Sequence, residues 1–253
     1  MPRFYLPPEN CRSATLRLDG REAHHASHVL RLKRGDIVSV LDGAGGEFAC
    51  EIESAGKDSL ALKVREKKSA APPPCSLTLL VALPKGKLIE DIIEKAVELG
   101  VQRVVPLLTE RVVTQLAAAA AEAKREKWQQ VAIEAIKQCG QPWLPKIEAP
   151  TPLSAFRFPL SAFDLSFVGS LQTARRHPRE WILEFQKQHG RLPRTAAVWI
   201  GPEGDFTLAE LQAIEAAGAK PITLGPLTLR VATAAIYCLS FLNYELNFSE
   251  PKA

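Results

Sequence analysis

No stretch of this sequence approaches the run of about twenty apolar residues that a membrane-spanning helix needs, and the opening MPRFYLPPEN lacks the basic amphipathic character of a targeting leader. The expectation is a soluble, cytoplasmic protein with no membrane partner. Cysteine is sparse: Cys11, Cys50, Cys75, Cys139 and Cys238 are odd in number and widely scattered, and never form a CxxC pair, which argues against a disulfide framework or a zinc site. They read as buried thiols. There is no HExxH, no G-x-x-x-x-G-K-[S/T], and no G-x-G-x-x-G after a strand. The common phosphate-loop cofactors therefore lose their usual handle, while a nucleoside-like ligand held by backbone groups stays open. Neither sign of charge dominates; a net charge of +4 permits a polyanionic partner without requiring one.

Residues 37–64 place Val38 and Val40, then Phe48, Cys50 and Ile52, then Leu60, Leu62 and Val64 at period two, separated by the turn segments DGAGG and SAGKD. This pattern predicts hairpin-linked strands with one buried face. The segment KKSAAPPPCS closes this small β domain near residue 72, because consecutive prolines stiffen the chain and donate no backbone hydrogen bonds. Beyond it, strands alternate with helices, as βα units require. SLTLLVAL, VQRVVPLL, AFDLSFVG and AAVWIG read as strands. KLIEDIIEKAVELG reads as a helix with Leu88, Ile92, Ala96 and Leu99 on one face and Gly100 at its end, and EAKREKWQQVAIEAIKQCG as another, led in by an exposed alanine run. Residues 176–188 are helical in character, and VATAAIYCLSFLNYEL forms a closing helix. The larger domain, 73–253, is thus a mostly parallel α/β sheet covered by helices.

In open α/β sheets, ligands bind beyond the carboxyl ends of the strands. Two Gly-Pro turns stand there, IGPEGDFT (200–207) and LGPLTLRVAT (224–233). Thr207 with Glu210 makes a capping-box pattern, so a helix starts after Phe206. Such turns are either ordinary punctuation or places where glycine lets backbone approach a ligand. Lys85 and Lys87 precede a helix N-terminus, where a cation is unfavourable unless an anion joins it; solvated loop charges are the alternative. Arg111 follows the next strand. Arg230 opens an otherwise apolar helix, and so either stands at the mouth of a site or forms a buried structural pair. His24 and His28 are four apart on an expected helix that also carries Arg31, Lys33 and Arg34. With no accompanying carboxylate pattern, phosphate-backbone contacts explain this set better than metal does.

The segments LPKGKLIEDIIEKAVELGV, PLLTER, EAIKQCG, IGPEGDFT and LGPLTLRVATAA, together with HHASHVLRLKRGD, resemble in order and spacing the RsmE family, the 16S ribosomal RNA uridine-N3 methyltransferases of the SPOUT superfamily. The resemblance spans nearly the whole chain. It implies a PUA-like β-barrel over residues 1–72 for RNA docking, then a SPOUT-type parallel sheet over 73–253 ending in a trefoil knot. It further implies a homodimer that binds S-adenosylmethionine in the knot and acts on 16S rRNA of the small ribosomal subunit. Carried over by position, the cofactor would meet the end of the Leu80 strand and Gly201, Pro202, Glu203, Gly204, Leu224, Gly225, Pro226 and Leu229. Arg230 is the catalytic candidate, and His24, His28, Arg31, Lys33, Arg34, Lys85, Lys87 and Arg111 the RNA-binding ones. Leu227 stands where the family commonly has arginine, Ala232 where it has glutamate, Gln141 where arginine is frequent, and Asp205 in place of the second glycine of GPEGG. These departures motivate a second reading, a non-catalytic RNA-binding or ribosome-assembly factor that keeps the fold.

Overall fold

The structure is a computed structural model that describes residues 1–56, 59–111, 117–155, 163–171 and 175–248. It forms two compact units, residues 1–72 with 133–144, and residues 73–132 with 145–253. Among the described residues, no helix is long and apolar enough to cross a membrane.

The first unit holds β1 (Arg3–Tyr5), β2 (Thr15–Asp19), β3 (Ile37–Leu41), β4 (Gly46–Ala55) and β5 (Ser59–Ser69) in one sheet of order β1-β3-β4-β5-β2. The β1/β3 pair is parallel and the others are antiparallel. Two register shifts between β4 and β5 curl the sheet into a half-barrel, since a bulge adds twist where it interrupts the ladder. Period-two burial holds for Val38, Val40, Phe48, Cys50, Ile52, Leu60 and Leu62, which pack with Leu16 and Leu18, whereas Val64 is only partly buried. In β3 the alternation fails. Ser39 and Leu41 are buried as well, and the Ser39 hydroxyl is satisfied by donating to Glu47 Oε1 at 2.8 Å. The DGAGG turn is held by Asp42 Oδ1, which accepts from the amides of Ala44 and Gly46, both at 2.7 Å. Lys57 and Asp58 of the second expected turn lie outside the described residues.

The expected helix after β2 is short. Helix α1 (Gly20–His24) runs into one π turn, His25–Val29, and Arg31 then adopts a left-handed φ of 54°. Arg31, Lys33 and Arg34 therefore belong to the loop before β3, not to a helical face. The π turn makes its own i→i+5 bond, from Leu30 N to His25 O at 3.0 Å, and stacks the His24 and His28 rings 4.5 Å apart.

The second unit contains β6 (Ser76–Ala82), α2 (Leu88–Glu98), β7 (Arg103–Leu108), β8 (Lys146–Ile147), β9 (Thr151–Pro152), β10 (Leu165–Gly169), α4 (Pro178–His189), β11 (Thr195–Ile200), α5 (Leu208–Ala216), β12 (Lys220–Ile222) and α6 (Val231–Asn247). Helix α3 (Ala118–Cys139) begins in this unit; Ala118–Ala120 are exposed, as expected of the alanine run. The strands are ordered β12-β10-β11-β6-β7-β8, with β9 also on β7, and every pair is parallel. Strands β6, β10 and β11 are buried almost residue for residue, because helices cover both faces of such a sheet.

The buried face of α2 is wider than predicted. Ile89, Ile92, Ile93, Ala96 and Val97 are inside, while Leu88 and Leu99 flank them, because α2 also packs on α6. Gly100 ends α2 at φ 76°, with Gly100 N–Val97 O and Val101 N–Ala96 O bonds, each 3.0 Å, closing a Schellman motif. The thiols of Cys11, Cys50, Cys75 and Cys238 are buried; Cys139, at the end of α3, is exposed, which corrects the expectation for that residue.

Candidate cofactor site

Three loops at the carboxyl ends of β10, β11 and β12 converge on one cleft that is open to solvent. The β11 loop owes its shape to its residue types. Asp205 N–H donates to Pro202 O at 2.9 Å, closing a turn, and Asp205 adopts φ 62°. Thr207 then caps α5, with Glu210 Oε2 accepting from Thr207 N at 2.9 Å in the predicted capping box. Gly201 leaves little room for a side chain: a Cβ there would lie 3.1 Å from Phe206 N and 3.2 Å from Asp205 Oδ1. In the β12 loop, Gly225 takes φ 104°, a conformation that L side chains rarely adopt.

The loops are braced from behind. Glu210 is buried, and its Oε1 accepts from Glu110 N at 2.8 Å, which joins the segment after β7 to α5. Arg111 donates to the carbonyl of Gly204 and, at 3.2 Å, to that of Asp205. Arg111, expected to bind RNA, has its guanidinium on the β11 loop.

Of the residues expected to hold cofactor, Gly201, Pro202, Glu203, Leu224, Gly225 and Leu229 line the cleft, while Gly204 and Pro226 do not. Gly204 gives its carbonyl to Arg111 and does not face the cavity. Arg230 is the N-cap of α6, exposed and outside the lining, between Leu229 and Val231, which both line it. Among the described residues it makes no ion pair, so of the two readings of Arg230 the buried structural pair falls. Lys85 and Lys87 are exposed on the loop between β6 and α2. His24, His28, Arg31, Lys33 and Arg34 are exposed on the first unit.

The sequence did not single out the β10 loop. Gly169, Ser170, Leu171 and Arg175 line the cleft, and Arg175 Nη1 donates to Ser170 O at 3.3 Å. The usable signal was the Gly-Ser pair ending the strand LSFVG, a third small-residue turn at a strand end. Leu171 and Leu227 form apolar lips, 56% and 73% exposed. Thr228, Val231 and Ala234 complete the lining at the N-terminus of α6, where unpaired amides and the helix dipole favour negative charge. Of the other departures, Asp205 lines the cleft, Ala232 is half-buried in the first turn of α6, and Gln141 Oε1 accepts from Trp143 N at 3.4 Å within the first unit.

A parallel α/β sheet whose strand-end loops build a cleft of mixed polar and apolar lining is an α/β domain with its candidate ligand site beyond the carboxyl ends of the strands. The profile of an RNA methyltransferase domain matches residues 71–243, and that of an RNA methyltransferase PUA domain matches residues 18–65. Ribosomal RNA small subunit methyltransferase E of Synechocystis is 32% identical over 95% of this chain and 77% of its own length; that of Bacillus subtilis is 30% identical over 91% and 90%. A Legionella pneumophila structure of a methyltransferase in complex with SAM is 28% identical, with a TM-score of 0.84 over 96% of this chain and 97% of its own. The chain belongs to the ribosomal RNA small subunit methyltransferase E family, the RsmE family.

Proposed function

We propose that this protein transfers the methyl group of S-adenosylmethionine to N3 of a uridine in 16S rRNA of the small ribosomal subunit. The observation that carries the reading is the cleft where the β10, β11 and β12 loops meet, in a chain of this family. It suits a nucleoside-like group: Gly201 and Gly225 bring backbone close, Leu171, Leu224 and Leu229 offer apolar surface, and Ser170, Arg175, Glu203, Asp205 and Thr228 add polar groups. Residues Gly201–Glu203, Leu224, Gly225 and Leu229 would hold the cofactor, whose sulfonium supplies an electrophilic methyl group.

The chain's own task is to orient the uridine and ease loss of its N3 proton. A pKa roughly two units above neutrality sets that cost at about 3 kcal/mol, at about 1.36 kcal/mol per unit. The Arg230 guanidinium, beside the cleft and without an ion pair among the described residues, would stabilise the negative charge developing on N3 and O4. Glu203 is exposed and is not assigned as a base; solvent can take the proton. Holding both partners in line supplies the rest.

Residues 1–72 would dock RNA through a PUA-like fold, with Arg31, Lys33 and Arg34 on phosphates, and residues 73–253 would form the SPOUT methyltransferase domain. A trefoil knot is supported by the strand order, since the chain leaving β11 passes β10 to form β12 and then returns to pack α6 on β6 and β11. A homodimer is supported by the exposed aromatic face of α6, and a cytoplasmic site by the rRNA substrate.

The test is incubation with labelled S-adenosylmethionine and small subunits lacking uridine-N3 methylation, followed by nucleoside mass spectrometry. 3-Methyluridine is expected. Binding of rRNA without transfer, beside an active control enzyme, would favour the non-catalytic factor suggested by Leu227 at the rim.

A further inference from the structure

We infer that Asp205 is a positioning residue that fixes the shape of the cleft by tying together the loops that follow β7, β10 and β11. It is one of two non-glycine residues with positive φ among the described residues. That conformation sends its carboxylate across to the neighbouring loop. Oδ2 accepts from Leu171 N at 3.0 Å and from the Ser170 hydroxyl at 3.4 Å, while Oδ1 accepts from Phe206 N at 2.8 Å. On its other side the Asp205 carbonyl accepts from Arg111 at 3.2 Å. Ser170, Leu171 and Asp205 all line the cleft, so the carboxylate sets the distance between two of its walls.

A glycine at 205 would relieve the backbone and keep the Arg111 contact, but would leave the Leu171 amide without this acceptor. Aspartate at this φ carries a conformational cost, as expected where a side chain holds functional geometry. This role rests on the proposed identity of the cleft as the cofactor site.

The test compares wild type, D205N and D205G by calorimetric titration with S-adenosylmethionine, thermal unfolding and amide exchange. D205G should bind cofactor about tenfold more weakly without a lower melting temperature, and the Leu171 amide should exchange faster. D205N, which keeps one acceptor oxygen and tolerates the left-handed conformation, should fall between the two. Protection of amides in 169–171, 201–205 and 224–229 by cofactor in the wild-type protein tests the cleft separately. If that protection is missing, the cleft assignment falls and this role with it. If it is present and D205G binds within twofold of wild type, or Leu171 exchange is unchanged, the positioning role alone falls.

Discussion

Arg230 is held by backbone rather than by partners: it caps α6, its neighbours Leu229 and Val231 enter the cleft, and its own side chain stays in solvent. On the proposed function, a guanidinium so placed would contribute to charge stabilisation in transfer and little to cofactor binding. Arg230→Ala should therefore lower kcat by a factor of about 10² to 10³ while the cofactor Kd moves less than about threefold, measured by single-turnover transfer and by calorimetry. Cysteine chemistry gives a second residue-scale test. Burial pushes the Cys11 and Cys50 thiols up to about 11 and Cys75 to about 12, and raises Cys238 further, which leaves almost no thiolate at neutral pH. Native protein should release one equivalent of chromophore from a disulfide reagent, through exposed Cys139, and five when denatured. Both Gly-Pro turns were legible in the sequence because their geometry depends on residue type. Ser170, Leu171 and Arg175 were not, since only strand order brings the β10 loop beside the β11 loop.

At the scale of elements, α5 is anchored by one carboxylate serving two loops. Glu210 accepts from Thr207 N within its own cap and from Glu110 N after β7, and it is 8% exposed. Removing it should cost about 2 to 4 kcal/mol, the sum of a cap and a buried bond to a charged group, read from the urea midpoint. Glu210→Gln, which keeps one oxygen, should cost less. Asp164, just before β10, binds Arg191 through two bonds of 2.7 and 2.9 Å; this pairing, with the amides of Arg194 and Thr195 as lesser causes, lowers its pKa to about 2. An unfolded aspartate titrates near 3.9, so the folded value is the depressed one. The stability it adds is fully present above about pH 4 and is lost as pH falls toward about 2. Asp164→Asn should flatten the stability profile in that window and leave the profile above pH 5 parallel to wild type. The long elements were legible from periodicity. The π turn, β8 and β9 were not, because one helical turn or a two-residue strand carries too few residues to show a period.

At the scale of the whole molecule, α6 poses the remaining question. Its inner face, Ala234, Ala235, Cys238, Leu239 and Leu242, is buried within its own unit. Tyr237 and Tyr244 point away from that face, with Phe248 just beyond; half-buried Phe241 bridges the two sides, its ring 6.2 Å from Phe167 and 6.4 Å from Tyr237, and Tyr244–Phe248 stack at 5.6 Å. Tyr237, Tyr244 and Phe248 are 49%, 67% and 68% exposed. The sequence told that this helix is apolar around much of its surface; it could not tell which side the sheet of its own chain covers, because that depends on strands distant in sequence. A contiguous aromatic face is costly to leave in water, and a two-fold axis would cover it with its own copy. Light scattering should therefore give about 55 kDa, twice the 27.7 kDa chain mass. Tyr244→Glu should shift the protein to one chain mass, because closing the interface would bury a carboxylate from each copy, whereas Tyr244→Phe should stay dimeric. If transfer also needs residues from both copies, the Tyr244→Glu monomer should retain its melting transition and lose methylation. A single chain mass for the wild-type protein at micromolar concentration would rule the dimer out and leave the aromatic face to another partner.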